Sequence, residues 1–337
     1  MKLTFFVNEV STEIDEYTTT RFAIAAARMG HEVWYVGAGD VNYEPDGTMR
    51  ARGYKAKHRD GDDLASFLER VKQKDSIEDL ALDRVDAVML RNDSIEDLHE
   101  RPWAATSGVV FGRMLAECGV TVVNDPDGLM RASSKLYLEE FPSSIRPRCR
   151  VTRDADAIKD FVAETGPTVL KPLYGAKGRN VFLVESEIDP NLSQMIEAVL
   201  EDGYVIAQER VEGAEKGDVR LFLLEGEPLK IDSTVAAFRR VPPADDVRAN
   251  ISTGGKPEPL EVGPREMEIV DAMRDRLVRD GMFFVGVDII GDKVVEINAE
   301  SPGGMQAVEH FTELDFGVPV IEALERRASK GSLRRAV

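Results

Sequence analysis

The residues best suited to chemistry lie in Phe284-Val285-Gly286-Val287-Asp288-Ile289-Ile290-Gly291-Asp292-Lys293-Val294-Val295-Glu296-Ile297-Asn298. This stretch reads as two β-strands joined by a Gly291-Asp292 turn, with Asp288 on the first and Glu296 and Asn298 on the second. Residues two apart on a strand share a face, so Glu296 and Asn298 project together, and a closed hairpin sets Asp288 across from them. Three hard oxygen ligands among apolar neighbours suit Mg²⁺, with Mn²⁺ as an alternative. Mg²⁺ takes one or two carboxylates and completes its shell from water and phosphate. Taken alone, the same residues also fit an ordinary hairpin with three solvated polar side chains.

Other segments offer partners. A short apolar strand over 87–90 delivers Arg91-Asn92-Asp93. Ligands of open α/β sheets bind beyond the carboxyl ends of strands, so Arg91 and Asp93 are site candidates. Between strands at 168–172 and 181–184 runs Leu173-Tyr174-Gly175-Ala176-Lys177-Gly178-Arg179-Asn180. It joins strand to strand and lacks Gly-Lys-Ser/Thr, so it is not a Walker loop. It reads as a flap whose backbone N–H groups and Lys177 could cover phosphates, or as a plain hairpin turn. Residues 238–256, rich in Arg, Pro, Gly and Asp and without periodicity, read as a long mobile loop of the lid kind.

The elements that must hold these groups begin with a strand at 2–7, a helix at 21–29 ended by Gly30, and a strand at 32–36. Such a β-α-β start argues for a parallel sheet with helices on its faces. Residues 41–60 are polar and turn-rich, a helix follows near 62–73, and another spans 103–118. A strand at 120–123 ends in Asn124-Asp125-Pro126, an Asx-Pro turn that marks a boundary. The organisation expected is 1–126, 127–206 and 207–328, with a frayed basic tail over 329–337. A third region opens at 204–209, with strands at 218–224 and 228–234, a helix over 265–280, the hairpin, a Ser301-Pro302-Gly303-Gly304 turn and a last helix over 318–328.

A chain of 337 residues exceeds what one core usually holds, and its 43% hydrophobic content can bury two or three. No apolar run reaches the roughly 18 residues of a membrane span, and the N-terminus lacks a signal-peptide pattern. Cys118 and Cys149, the only cysteines, form no disulfide framework, so a cytoplasmic setting is expected. The histidines are scattered without zinc-ligand spacing. A net charge of −18 repels nucleic acid and anionic membrane, so neither is expected as a partner, and a phosphorylated substrate needs a local basic pocket.

In order along the chain, Val122-Val123-Asn124-Asp125-Pro126, Ser134-Lys135-Leu136, Val169-Leu170-Lys171-Pro172-Leu173-Tyr174-Gly175, Lys216-Gly217-Asp218-Val219-Arg220, Arg248-Ala249-Asn250-Ile251-Ser252-Thr253-Gly254-Gly255 and the hairpin resemble the ATP-grasp superfamily, and within it the bacterial glutathione synthetases. The resemblance implies an α/β fold of three parts: a parallel-sheet N-terminal domain, a small lid subdomain and a larger C-terminal subdomain, with ATP between the last two. It implies a ligase that joins a carboxylate to an amine through an acylphosphate, γ-glutamylcysteine and glycine in that family, and a homodimer or homotetramer. Asp288, Glu296 and Asn298 would then hold Mg²⁺ at the ATP phosphates. Lys135 and Lys171 would contact phosphates, and Gly175, Lys177 and Gly178 would close over them. Gln208, Glu209, Arg210 and Val211 would form the strand beside adenine. Arg220, Arg240, Arg248 and Asn250 would approach the reacting groups. Catalysis would be mainly positioning and electrostatics.

The departures cluster on the substrate side. The family carries Arg-Lys-Asp-Pro-Pro where this chain has Arg91-Asn92-Asp93-Ser94-Ile95, and more adjacent glycines where it has Lys177-Gly178-Arg179. After the metal asparagine the family reads Ser-Pro-Thr and soon an arginine. This chain reads Ser301-Pro302-Gly303-Gly304-Met305-Gln306, closer to ribosomal-protein-S6-type glutamate ligases. Arg91, Asp93, Ser301, Gly303 and Gly304 are therefore substrate-side candidates, and the acid and amine stay open between those two specificities. A non-catalytic ATP-binding regulator is a third reading, against which the complete Asp288, Glu296 and Asn298 set argues.

Overall fold

The computed structural model describes residues 1–175, 178–243 and 254–335. The apolar strand Lys2–Val7 is buried from Leu3 onward, as a strand covered on both faces must be. It pairs in parallel with Glu32–Gly37 on one side and Ala87–Leu90 on the other, and Thr121–Val123 continues the sheet. Antiparallel strands extend the far edge: Met49–Ala56, then Val41–Tyr43 and Ile77–Ala81 beside it. The turn-rich reading of 41–60 thus gives way to two strands. Their inward residues, Met49, Ala51 and Gly53, make a weak alternation beside so many charges. The first helix, Thr18–Arg28, starts earlier than expected. The span 103–118 is helical only over Ser107–Glu117, preceded by a separate helix, Ser94–Glu100.

A second sheet is antiparallel throughout, in the order Phe182–Val184, Thr168–Pro172, Val205–Glu209, Cys149–Thr152. Val205–Glu209, expected to open the third region, belongs to this sheet. Helices Ala155–Thr165 and Leu192–Glu201 lay Ile158, Phe161, Val162 and Ile196 against Leu170 and Val205 in a core of their own.

The third sheet runs Lys256–Pro259, Ala237–Val241, Asp218–Leu224, Phe284–Ile290, Lys293–Asn298, again antiparallel. Helix Pro264–Arg279 covers one face through Ile269, Val270, Met273 and Leu277. The expected loop over 238–256 is therefore strand at both ends; residues 244–253 lie outside the described part. The expected strand over 228–234 is broken into short pieces. The closing helix, Gly317–Arg335, continues through most of the span expected to fray.

The first and third sheets share apolar cores. One cluster joins Phe5, Phe22 and Tyr35 to Phe222, Phe284 and Val320. The Phe22 and Phe284 rings meet edge to face at 5.1 Å, and Phe222 stacks on Phe284 at 5.6 Å, contacts worth about 1 kcal/mol each beyond area burial. Among the described residues no helix is long and apolar enough to cross a membrane.

Candidate active site

Strand register builds the charged site. Asp288 lies opposite Arg220 on one side and Glu296 on the other, Gly286 lies opposite Phe222 and Asn298, and Asp218 lies opposite Arg240. Directly opposed residues project to the same face, so Asp218, Arg220, Arg240, Asp288, Glu296 and Asn298 stand together on the face away from helix Pro264–Arg279. A register shift after Asp288 skips Val295, and the Val295 carbonyl accepts a hydrogen bond from Lys171 Nζ at 3.3 Å. A Cβ on Gly286 would sit 3.2 Å from Arg220 Cδ and 3.1 Å from Pro302 Cβ, so glycine there leaves room for the arginine.

Asp288 is 1% exposed and both its oxygens are engaged. Arg220 forks onto it, donating from Nε to Oδ1 and from Nη2 to Oδ2 at 2.8 Å. Arg240 Nη2 lies 2.7 Å from Oδ2, and Asn298 Nδ2 donates to the same oxygen at 3.3 Å. Arg240 also forks onto Asp218 at 2.7 and 2.8 Å. Two buried arginines thus neutralise two buried carboxylates. Burial alone would raise the Asp288 pKa, but Arg220 and Arg240 outweigh it and hold the carboxyl well below its usual range. Burial, then the neighbouring Asp288 charge, pushes Asp218 up to about 6. Burial, then Lys135, brings Lys171 down to about 8.

A cavity of about 430 Å³ opens between the second and third sheets. Val169, Val181, Leu183, Val211, Ile290 and Val295 give it apolar walls from both sides, a slot suited to a flat ring. Of the residues expected around a nucleotide, Lys135, Lys171, Gly175 and Gly178 line it, and so do Gln208, Glu209, Arg210 and Val211. Lys135 Nζ donates to the Gly175 carbonyl at 2.6 Å and lies 3.7 Å from Glu296. The Glu209 carboxylate accepts from Arg148 N at 2.7 Å, which ties the wall strand to its neighbour. Asp218, Arg240, Asp288 and Glu296 line the cavity as well. Lys177, Arg248 and Asn250 lie outside the described residues.

The substrate-side candidates sit off the cavity walls and carry structural bonds. Arg91 is buried; its Nε donates to Thr19 Oγ1 and its Nη2 to the Pro302 carbonyl, each at 3.1 Å. Asp93 caps helix Ser94–Glu100, accepting from the backbone N–H groups of Ile95 and Glu96. The Gly303 carbonyl accepts from Arg220 Nη1 at 3.0 Å. Gly304 has φ +103°, and a Cβ there would meet the Phe238 ring at 2.8 Å. Ser301 stands in the same turn. Sequence reasoning missed Asp218, although it lies two residues before Arg220 and so shares its face.

Among the described residues no group of three or more His, Cys, Asp or Glu could hold a metal. The candidate set is two carboxylates and an asparagine amide, adjacent by register on one face. That oxygen chemistry fits a hard divalent cation, with Arg220 and Arg240 now occupying the Asp288 oxygens.

Solved structures share this architecture. D-cycloserine synthetase DcsG superposes with a TM-score of 0.66 at 15% identity, covering 97% of this chain and 100% of that one. The ATP-grasp ligase PsnB, complexed with minimal precursor, Mg and ADP, gives 0.60 at 19% identity over 97% of both chains. The fold, together with the family model described as prokaryotic glutathione synthetase, ATP-grasp domain, defines an ATP-grasp ligase, an enzyme that uses ATP and a divalent metal to form an amide bond. The family models described as prokaryotic glutathione synthetase, N-terminal domain and ATP-grasp domain, match residues 1–130 and 134–313. Glutathione synthetase of Brucella melitensis is 31% identical over 330 residues, 97% of this chain and 99% of that protein. That of Agrobacterium fabrum is 33% identical over 322 residues, covering 90% and 96%. The chain belongs to the prokaryotic glutathione synthetase family.

Proposed function

We propose that this ligase joins the cysteinyl carboxylate of γ-glutamylcysteine to the amine of glycine. The observation that carries the reading is one cavity lined both by apolar side chains of two sheets and by Asp218, Arg240, Asp288 and Glu296, with Arg220 bonded behind Asp288. Adenine fits the slot between the two sheets. Lys135, 3.7 Å from Glu296, and Lys171, bonded to the Val295 carbonyl, would meet phosphate oxygens as point charges. The acid's carboxylate oxygen attacks the γ-phosphorus and ADP leaves. The neutral amine nitrogen then attacks the acyl carbon, the C–N bond forms as the C–O bond to phosphate breaks, and the leaving phosphate takes up the proton the nitrogen loses. Arg220 and Arg240, held by Asp288 and Asp218, would bind and orient the negative oxygens of both steps. Asp288, Glu296 and Asn298 would hold Mg²⁺, which when bound neutralises charge on the phosphates. Arg248 and Asn250, with Lys177 on the flap, would complete the enclosure and exclude water.

The small-molecule pair, a cytoplasmic setting and a homodimer or homotetramer belong to the same reading. One observation favours a sister specificity. The two stretches that depart from the family touch each other, Arg91 through Pro302 and Ser94 through two 2.7 Å bonds to Glu300. A changed acid or amine would be selected there.

The test is ADP release with Mg-ATP, γ-glutamylcysteine and glycine, each omitted in turn, with glutathione read by mass spectrometry. Turnover that requires both substrates is expected. Asp288→Asn should lower kcat/KM by roughly a hundredfold or more, the order seen when one preorganised charge contact is removed. ADP release only with another acid and amine would move the enzyme to the sister specificity, and an unimpaired Asp288→Asn would remove the metal assignment.

A further inference from the structure

We infer that Asn124 is a positioning residue for the metal-ligand hairpin, acting as a side-chain rung at its open end. The ladder between Phe284–Ile290 and Lys293–Asn298 is closed at one end by the Gly291 turn, and its last pair at the other end is Gly286 with Asn298. Phe284 and Ala299, just beyond, have no pairing with each other. The Asn124 amide, 3% exposed, fills that gap. Its Nδ2 donates to the Phe284 carbonyl at 2.9 Å and to the Ala299 carbonyl at 2.6 Å. Its Oδ1 accepts from the N–H groups of Phe283 at 2.6 Å and Phe284 at 2.8 Å. An asparagine has two N–H donors and two acceptor sites, so all four are used, on Phe283, Phe284 and Ala299 at the open end of the two strands that carry Asp288 and Asn298.

The consequence is geometric. Ala299 follows Asn298 directly, and Phe284 lies two residues before Gly286, the partner of Asn298. Fixing the Phe284 and Ala299 carbonyls on one amide sets the separation of the strands where Asn298 must reach Asp288. Asn124 ends the strand Thr121–Val123 of the first sheet, and the next residue adds a second tie, Asp125 N to the Gly281 carbonyl at 3.1 Å. The N-terminal sheet therefore sets the spacing of ligands that belong to the C-terminal sheet. Asn124→Asp keeps an acceptor for the two N–H groups and removes both donors, which leaves two buried carbonyls unpaired.

This inference rests on the metal reading of the hairpin, so the readout is metal binding rather than turnover. Mn²⁺ is titrated into the ADP-saturated protein at pH 8 and free Mn²⁺ is followed by electron paramagnetic resonance. Wild type, Asn124→Asp and Tyr137→Phe are compared at a temperature where circular dichroism shows all three folded. Tyr137→Phe deletes another hydrogen bond near the same interface, Tyr137 OH to Asp280 at 2.9 Å, and leaves all four bonds of the Asn124 amide in place. Asn124→Asp should weaken Mn²⁺ binding about tenfold or more, the usual scale for a group that orients a metal ligand, while Tyr137→Phe binds as wild type. Equal binding by Asn124→Asp and wild type, or equal weakening by both variants, would overturn the inference. A wild type that binds no Mn²⁺ removes the metal reading itself. Should Asn124→Asp not fold, hydrogen exchange on the wild type decides: Mn²⁺ is expected to slow exchange of the Phe284 amide, and an unchanged rate counts against the rung.

Discussion

At the scale of single residues, strand register decides which charged side chains share one face and which bonds hold them there. Asp288, Glu296 and Asn298 were legible because a two-residue period and a Gly-Asp turn place them without reference to the rest of the chain. Asn124 was not legible in that role, since its bonds reach residues 160 and 175 positions away. Nor was the arginine clamp, which depends on strands more than sixty residues apart meeting in one register. Glu13 is a third case. It is 6% exposed, its Oε2 has no hydrogen-bond partner among the described residues, and burial pushes its pKa from 4.5 up to about 7 despite the pull of Arg91 and Lys72. The folded chain therefore binds a proton there that the unfolded chain has already released between those two pH values. Stability from this group is full below 4.5 and is lost as the pH rises through 7, a change of about 3 kcal/mol at one pKa unit per 1.4 kcal/mol. Glu13→Gln should raise the melting temperature at pH 8 and leave it nearly unchanged at pH 5. Equal shifts at both values would show that the carboxyl is satisfied.

At the scale of elements, strand and turn geometry explains why certain motif residues are what they are. Gly217 precedes the strand that carries Asp218 and Arg220. Its φ is +89°, and a Cβ there would lie 1.9 Å from the Arg240 carbonyl oxygen. Only a residue without a side chain allows Asp218 and Arg240 to face each other so closely. Gly217→Ala adds left-handed strain to a backbone clash and should cost about 1–3 kcal/mol or more, lowering the melting temperature and, because the Arg240 strand must shift, kcat as well. Wild-type melting and turnover would show that the turn has another way to relax. The sequence reading of these elements failed where charge hid a strand. Ala237–Val241 looks like loop because two of its five residues are arginines, yet Arg240 is only 6% exposed and is neutralised across the ladder by Asp218. Met49–Ala56 failed because, after Met49, its buried positions are Ala51, Gly53 and Ala56, too small to make a clear alternation among charged neighbours.

At the scale of the whole molecule, a chain of net charge −18 gathers Lys135, Lys171, Arg210 and Arg240 around one cavity. The need for local cations was legible from the charge, but they stand among the carboxylates of Glu185, Glu209, Glu215, Asp218, Asp288 and Glu296 rather than in a basic pocket. That the N-terminal and C-terminal sheets share cores was not, because neither Phe22 nor Phe284 announces its partner. The second sheet, with its separate core, forms one wall of the cavity. The buried clamp on Asp288 has a consequence for how the protein can be kept. Arg220 and Arg240 already supply the positive charge that a divalent cation would bring, so no bare carboxylate is left when the ion is withdrawn. The ion is then a visitor to a finished fold, unlike the structural zinc of a finger domain. Washing with EDTA should leave the melting temperature where it was, with Mg²⁺ adding stability only by mass action as its concentration passes its dissociation constant. A large loss on chelation would show that the arginines do not stand in for it. If they do, the chain folds, travels and waits without its metal, and competition for scarce ions in the cell limits its working rate but not its survival.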